Sequence, residues 1–389
     1  MGVNMPKLST RLDGFSESVI RRMTRISNQY GAINLSQGFP DFDPPKELIL
    51  ALQKAAVEGP HQYEITWGSK LIREAIAEKQ QRFMNIKLNP DENVVVTCGS
   101  TEAMMAAMMS ICEVGEKVAI FSPFYENYAA DTVLCGAIPI YVPLIPPEFT
   151  FDKVQLEDAF KQGAKALILC NPSNPIGKVF TEEELLFISQ LVTKYDAFVI
   201  TDEVYEHIVY EPNRHIYFAS LPGMFERTIS CSSLSKTYSI TGWRLGYVLG
   251  PKKVIDNCKK VHDFLTVGGA APLQKAALPG LAFKDDYYLE LNKLYTQKRE
   301  LFLEGLDSIG LKYHKPEGAY YVMVDVGEFG VKSDTEFAEK LVRNVGVAAV
   351  PGSSFFKEDV NNYIRFHFAK KKETLEQALE RLQNIRKFF

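Results

Sequence analysis

From about residue 94 the chain alternates short β-branched apolar runs with longer amphipathic stretches, the pattern of an α/β fold whose mainly parallel sheet is covered by helices. Strands are expected at 94–97, 117–121, 138–142, 166–170, 198–201, 228–231 and 247–249. Helices should begin near Thr101, Leu156, Glu182 and Lys252. Thr181 followed by three glutamates supplies a cap hydroxyl and then carboxylates against the positive end of a helix dipole. The stretch 285–306 places Tyr288, Leu291, Leu294, Tyr295 and Phe302 at helical spacing, as one long helix. Strands at 320–326, 346–350 and 363–368 and a helix from Glu373 then form a second, smaller α+β unit.

The chain has 389 residues, 46% of them hydrophobic, which is enough for a sizeable core. Its formal net charge of -4 offers nucleic acid no overall attraction, so small molecules or a second copy are the expected partners. Its 6 cysteines lack CxxC or zinc-type spacing, so they are read as reduced core residues of a cytoplasmic protein with no metal site. No apolar run approaches the roughly 20 residues of a membrane helix.

Ligands of open parallel sheets bind beyond the carboxyl ends of the strands, so polar residues just after buried strands carry the most information. Gly99-Ser100-Thr101 opens a helix after 94–97, a geometry that points N–H groups at an anion, although a plain strand-to-helix turn explains it as well. Asn171 to Gly177 is a rigid loop around Asn174, and a tight turn is its ordinary reading. Asp202 ends an apolar run with Tyr205 three residues on, and a carboxylate there needs a partner. Ser233 and Lys236 follow 228–231 and lead into Gly242-Trp243-Arg244-Leu245-Gly246. A lone lysine is usually solvated, but one partly desolvated at a strand end becomes a usable amine nucleophile and base. Together these residues suit electron-sink chemistry: a lysine for an imine, a carboxylate for a pyridinium nitrogen, a phenol for the ring oxygen, and hydroxyls with Arg244 for phosphate.

The chain resembles the class I aminotransferases of pyridoxal-phosphate fold type I, nearest the kynurenine, glutamine and methionine aminotransferase branch. The resemblance rests on 233–236 through 243–246, the loop 171–177, Asp202 with Tyr205, Leu35 to Asp41, and Tyr363 to Phe366. It implies pyridoxal 5'-phosphate as cofactor, a large domain over 46–284 and a small domain made of 1–45 with 285–389. Lys236 would form the imine, Asp202 would face the ring nitrogen, and Tyr205 and Asn174 the ring oxygen. Ser233, Arg244 and Gly99-Ser100-Thr101 would take the phosphate, and Phe124 or Tyr125 would stack on the ring. Arg365 would hold the substrate α-carboxylate, helped by Asn174 and the backbone of Gly38. Tyr63 would reach the phosphate of a neighbouring subunit, implying a homodimer with shared active sites.

Aspartate-specific relatives carry an extra cation in the stretch matching 267–274 or where this chain has Thr101, and neither is present. Neutral substrates such as methionine, glutamine, leucine or aromatic amino acids are therefore expected, with a 2-oxo acid as acceptor and Phe15, Tyr63 and Phe264 as candidate pocket walls. The alternatives are an aspartate aminotransferase, a β-lyase that cleaves carbon–sulfur bonds through the same carbanion, and a non-catalytic ligand sensor.

Overall fold

The computed structural model describes residues 6–15, 17–330 and 332–389. Helix α1 (Val19–Gln29) is capped by the Ser18 hydroxyl and leads into the two-residue strand β1 (Ile33–Asn34). Helices α2 (Lys46–Glu58) and α3 (Lys70–Met84) precede the main sheet.

That sheet is built from β2 (Val94–Thr97), β3 (Lys117–Ser122), β4 (Ile138–Ile145), β5 (Thr150–Phe151), β6 (Ala164–Cys170), β7 (Phe198–Asp202), β8 (Thr228–Ser233) and β9 (Gly246–Leu249). Its spatial order is β2-β9-β8-β7-β6-β3-β4-β5. The seven expected strands are all present. Two antiparallel strands were not foreseen: β9 runs antiparallel between β2 and β8, and the short β5 turns back on β4.

Helices α4 (Ser100–Ile111), α5 (Asn127–Leu134), α6 (Lys153–Lys161), α7 (Glu182–Lys194), α8 (Lys252–Thr266) and α9 (Ala271–Leu281) cover the sheet. Strands buried on both faces must be apolar at successive positions. In β6, Leu167 and Leu169 join the core beneath α6 and α7, whereas Ala166, Ile168 and Cys170 join the opposite core with α4 and α8. Helix α6 starts three residues before Leu156 because the Asp152 carboxylate accepts the N–H groups of Val154 and Gln155.

Helix α10 (Asp285–Ile309) crosses to a second sheet. Strands β10 (Lys312–His314), β11 (Tyr321–Asp325), β13 (Val350–Pro351) and β14 (Tyr363–His367) pair antiparallel in the order β10-β11-β14-β13. The single strand expected at 346–350 is divided. Its first half, β12 (Val347–Ala348), pairs in parallel with β1, and only β13 joins β14. The N-terminal segment is thereby tied to the smaller sheet. Helices α11 (Asp334–Lys340) and α12 (Lys372–Leu382) cover this unit. Leu379 packs so closely on α10 that a Cβ at Gly305 would lie 2.4 Å from it.

All six cysteines are free. Cys170, Cys231 and Cys258 are buried as expected, whereas Cys98, Cys112 and Cys135 are only half-buried. No described helix is long and apolar enough to cross a membrane, and no described His, Cys, Asp and Glu cluster could hold a metal ion.

Candidate active site

The carboxyl ends of the central strands and the inner edge of the smaller sheet enclose a cavity of about 450 Å³. Asp202 reaches it from the end of β7, Asn174 from the loop after β6, and Ser233, Ser235 and Lys236 from the end of β8. Ser100 and Thr101 enter at the first turn of α4, Tyr125 from the turn after β3, and Arg365 and Tyr321 from β14 and β11. Residues that lie far apart in the chain therefore share one wall.

The Lys236 amine donates to the Gly38 carbonyl at 3.4 Å and lies 5.9 and 5.7 Å from the ring centres of Tyr205 and Tyr320. Burial pushes this amine down to about 8, an effect opposed by Asp202 and reinforced by Arg244 and Arg365. Asp202 is buried, which raises its carboxyl above the usual carboxylate range. Hydrogen bonds from the Tyr128 hydroxyl, 2.7 Å from Oδ2, and from the Val204 N–H, 3.4 Å from Oδ1, act the other way.

The Tyr205 hydroxyl lies 2.9 Å from that of Tyr321. The turn that carries Tyr205 is anchored by Glu206, which pairs with Lys79 at 2.9 Å and accepts from Gln80, Tyr217 and Tyr247. Both members of that ion pair are buried. Its value lies more in fixing one turn than in net stability, since desolvation offsets much of the attraction.

Arg365 is 1% exposed and still forms no ion pair among the described residues. It donates through Nη1 to Asn174 Oδ1 at 2.6 Å and through Nη2 to the Ser36 carbonyl at 2.9 Å, while its Nε has no partner. The guanidinium stacks 4.2 Å over the Tyr321 ring and 4.6 Å over Phe355. A buried guanidinium held only by neutral oxygens and ring faces has unspent capacity for an anion.

Arg244 takes a left-handed backbone, φ 54°, and donates to the carbonyls of Thr241 at 3.1 Å and Cys98 at 3.4 Å. Its guanidinium lies against Gly99, where a Cβ would come within 2.2 Å of Nη2. Gly99 thus admits Arg244 to the N-terminus of α4 without itself lining the cavity. The Ser233 hydroxyl accepts the Ser235 N–H at 3.3 Å, and the Ser235 hydroxyl has no partner. Cation, helix N-terminus and hydroxyls together form an anion cradle.

Several expectations need correction. Of the aromatic pair, Tyr125 walls the cavity, whereas Phe124 stacks on Tyr141 at 5.3 Å in a separate small space behind it. Phe15 and Phe264 are exposed and lie off the cavity, because α1 presents Ile20 there instead and Phe264 points out from α8. Tyr63 needs no such correction: it is 88% exposed beside 267–272, off its own chain's cavity, as a residue expected to serve a neighbouring subunit would be. Sequence reasoning also missed Tyr128, Ser235, Tyr321 and Arg21. Ser235 sat within a motif already singled out, and Tyr321 follows Tyr320 in a foreseen strand. Tyr128 and Arg21 carried no local signal beyond ordinary helix positions.

The family model for class I and II aminotransferases matches residues 30–382. This chain belongs to that family. The aminotransferase is 36% identical to the N-succinyldiaminopimelate aminotransferase of Mycobacterium tuberculosis, whose solved structure superposes with a TM-score of 0.94 over 98% of this chain and 100% of that one. It is 35% identical to the methionine aminotransferase of Escherichia coli across 97% of this chain and 98% of the relative. Human kynurenine–oxoglutarate transaminase 1 is 32% identical over 96% of this chain and 97% of its own length. The aminotransferase therefore transfers amino groups and has the type I α/β architecture of these relatives, which act on different amino acids.

Proposed function

We propose that this aminotransferase uses pyridoxal 5'-phosphate to move an amino group from a neutral L-amino acid to a dicarboxylic 2-oxo acid. The observation that carries the reading is the meeting, on one cavity, of an amine, a buried carboxylate and a buried guanidinium that form no ion pairs among the described residues. The residues fit the cofactor: Asp202 suits a ring nitrogen, Tyr205 and Asn174 a ring oxygen, and Tyr125 a ring face. The unpartnered Ser235 hydroxyl, with Ser233, Arg244 and the start of α4, suits a phosphate.

When bound, the cofactor supplies an electron sink for charge developing at the substrate Cα. Lys236 is the residue that would hold the cofactor covalently, and its freed amine would be the base that moves the proton from Cα. Its lowered basicity leaves about a tenth of the amine uncharged at roughly pH 7, far more than an ordinary lysine would. Arg365 grips the α-carboxylate with two donors and so fixes which Cα bond faces Lys236. Asp202 would keep the ring nitrogen protonated.

As expected, neither position where aspartate-specific relatives carry a distal cation supplies one: Thr101 lines the cavity as a neutral residue, and no residue of 267–274 lines it. A cation does enter from elsewhere. Arg21, on the first turn of α1, lines the cavity, and its side chain forms no ion pair among the described residues. Nearby Glu126 accepts the Ser18 hydroxyl at 2.5 Å. Arg21 suits the far carboxylate of the acceptor, and its exposed position allows it to swing aside for a neutral donor.

Half-reactions followed by the visible absorbance of the lysine-bound cofactor test both parts. Methionine, leucine, glutamine or an aromatic amino acid should bleach the band, and 2-oxoglutarate should restore it. In Arg21→Gln the 2-oxoglutarate step should slow about tenfold relative to a neutral 2-oxo acid, as loss of one exposed charge-assisted contact implies. Equal slowing of both acids would remove Arg21 from the reading, and pyruvate with ammonia from cysteine conjugates as the main products would favour the β-lyase.

A homodimer completes the proposal. Phe264 is 90% exposed and Tyr63 88%, with Ile65, Leu265 and Val267 also exposed, an apolar group that a second copy would cover. Sedimentation should give the mass of two chains, and Phe264→Lys should shift it towards one. A wild-type chain sedimenting as a monomer would remove Tyr63 from the site.

A further inference from the structure

Tyr128 is 2% exposed on α5 and does not line the cavity, yet it touches two groups that do. Its hydroxyl donates to Asp202 Oδ2 at 2.7 Å, and its ring meets Tyr125 edge-on with centres 5.8 Å apart. The Tyr128 carbonyl in turn accepts the Thr132 hydroxyl at 2.7 Å, which secures the helix turn that presents it. On Asp202, Oδ2 takes the short bond from Tyr128, and Oδ1 has only the long contact from Val204. Oδ1 is therefore the less engaged oxygen and the better placed to accept from a donor in the cavity.

We propose that Tyr128 is a positioning residue for the cofactor ring: it aims Asp202 at the ring nitrogen, keeps that carboxylate charged, and braces Tyr125 against the ring face. The inference rests on the pyridoxal-phosphate reading above. A phenol donating to a carboxylate favours its charged form, which is what burial of Asp202 works against. The other groups facing this contact agree. Cys170 on β6 is paired in register with Asp202 and is held as a neutral thiol by burial. Asp131, one turn along α5, is 3% exposed with Oδ2 unpartnered, and burial pushes it up to about 7. Two carboxylates so close do not share charge equally. The one receiving the phenol hydrogen bond and facing Lys236 is Asp202, whose charge adds to burial in raising Asp131. Removal of the phenol hydroxyl alone takes away the contact that separates them.

The test uses full-length Tyr128→Phe and Tyr128→His, the second of which keeps an N–H that can donate to Asp202. Cofactor affinity is measured on the apo chains, and the ring nitrogen is read by its 15N NMR shift after reconstitution with labelled cofactor. In Tyr128→Phe the dissociation constant should rise about tenfold, as loss of one hydrogen bond to a charged group implies, and the 15N shift should move towards the unprotonated value. The kcat should fall with KM changed less than about twofold, because the contact acts on the ring rather than on substrate binding. Tyr128→His should recover most of the affinity and the protonated shift.

Wild-type affinity and 15N shift in Tyr128→Phe would overturn the proposal, as would equal impairment of the Phe and His chains, which would mark a role in packing alone. If Tyr128→Phe does not fold, the His chain decides: a protonated ring nitrogen supports the proposal and an unprotonated one overturns it. A wild-type chain that takes up no pyridoxal phosphate at all is a different outcome, since it defeats the functional reading itself.

Discussion

Lys236→Ala lowers kcat/KM on the order of 10⁴-fold, the expected loss when one side chain supplies both the covalent anchor and the proton-transfer base. The folded variant binds pyridoxal phosphate without the absorbance of the lysine-bound form, and borohydride no longer fixes cofactor to the chain. The wild-type amine carries a pH signature. Its ordinary value is lowered to about 8, chiefly by burial, so its uncharged, nucleophilic fraction grows as pH rises through that value. Capture of cofactor by the apo chain therefore accelerates about tenfold between roughly pH 7 and roughly pH 9 and then levels off. A flat profile, or a Lys236→Ala chain that still acquires the band, would contradict the assignment.

Arg365→Ala is the second large effect, a loss of about 10³-fold in kcat/KM for amino acids, equivalent to some 4 kcal/mol for a buried two-pronged carboxylate contact. Lysine in its place recovers little, because a point charge reproduces neither the fork nor the stacking on Tyr321 and Phe355. The variant also strips donors from Asn174 Oδ1 and the Ser36 carbonyl, so some loss of thermal stability accompanies it. Amines that lack the carboxylate separate the two effects. If Arg365 binds that group, the half-reaction of the decarboxylated amine changes less than about threefold between wild type and variant. An equal fall for amine and amino acid would make Arg365 a structural residue.

The main sheet was legible because its strands are apolar on both faces and end in polar residues, a contrast sharp at Asp202 and at Ser233 to Lys236. The direction of β9 was not, since a run such as Gly246 to Leu249 reads alike in either sense and only its seat between β2 and β8 decides. The division of 346–350 between two sheets was hidden for the same reason, each half being too short to show its partner. In the site, residues inside rigid motifs could be found, because the motif itself was unusual. Tyr128 and Arg21 could not: a tyrosine on an apolar helix face reads as core, and an arginine on α1 as solvated surface. Phe15 and Phe264 failed in the opposite way, since apolar character does not say whether a side chain faces a cavity or open surface.

The Gly38 carbonyl accepts the Lys236 amine at 3.4 Å and the Tyr320 hydroxyl at 2.9 Å. The two bonds are unequal, and the weaker belongs to the amine that the proposed reaction would move. When Lys236 turns away to react, the carbonyl keeps its tyrosine and stays satisfied, so the departure strands no buried acceptor. The amine is parked against the N-terminal segment rather than locked to it. On the proposed mechanism, each turnover that frees the lysine would find the same berth waiting, at little reorganisation cost.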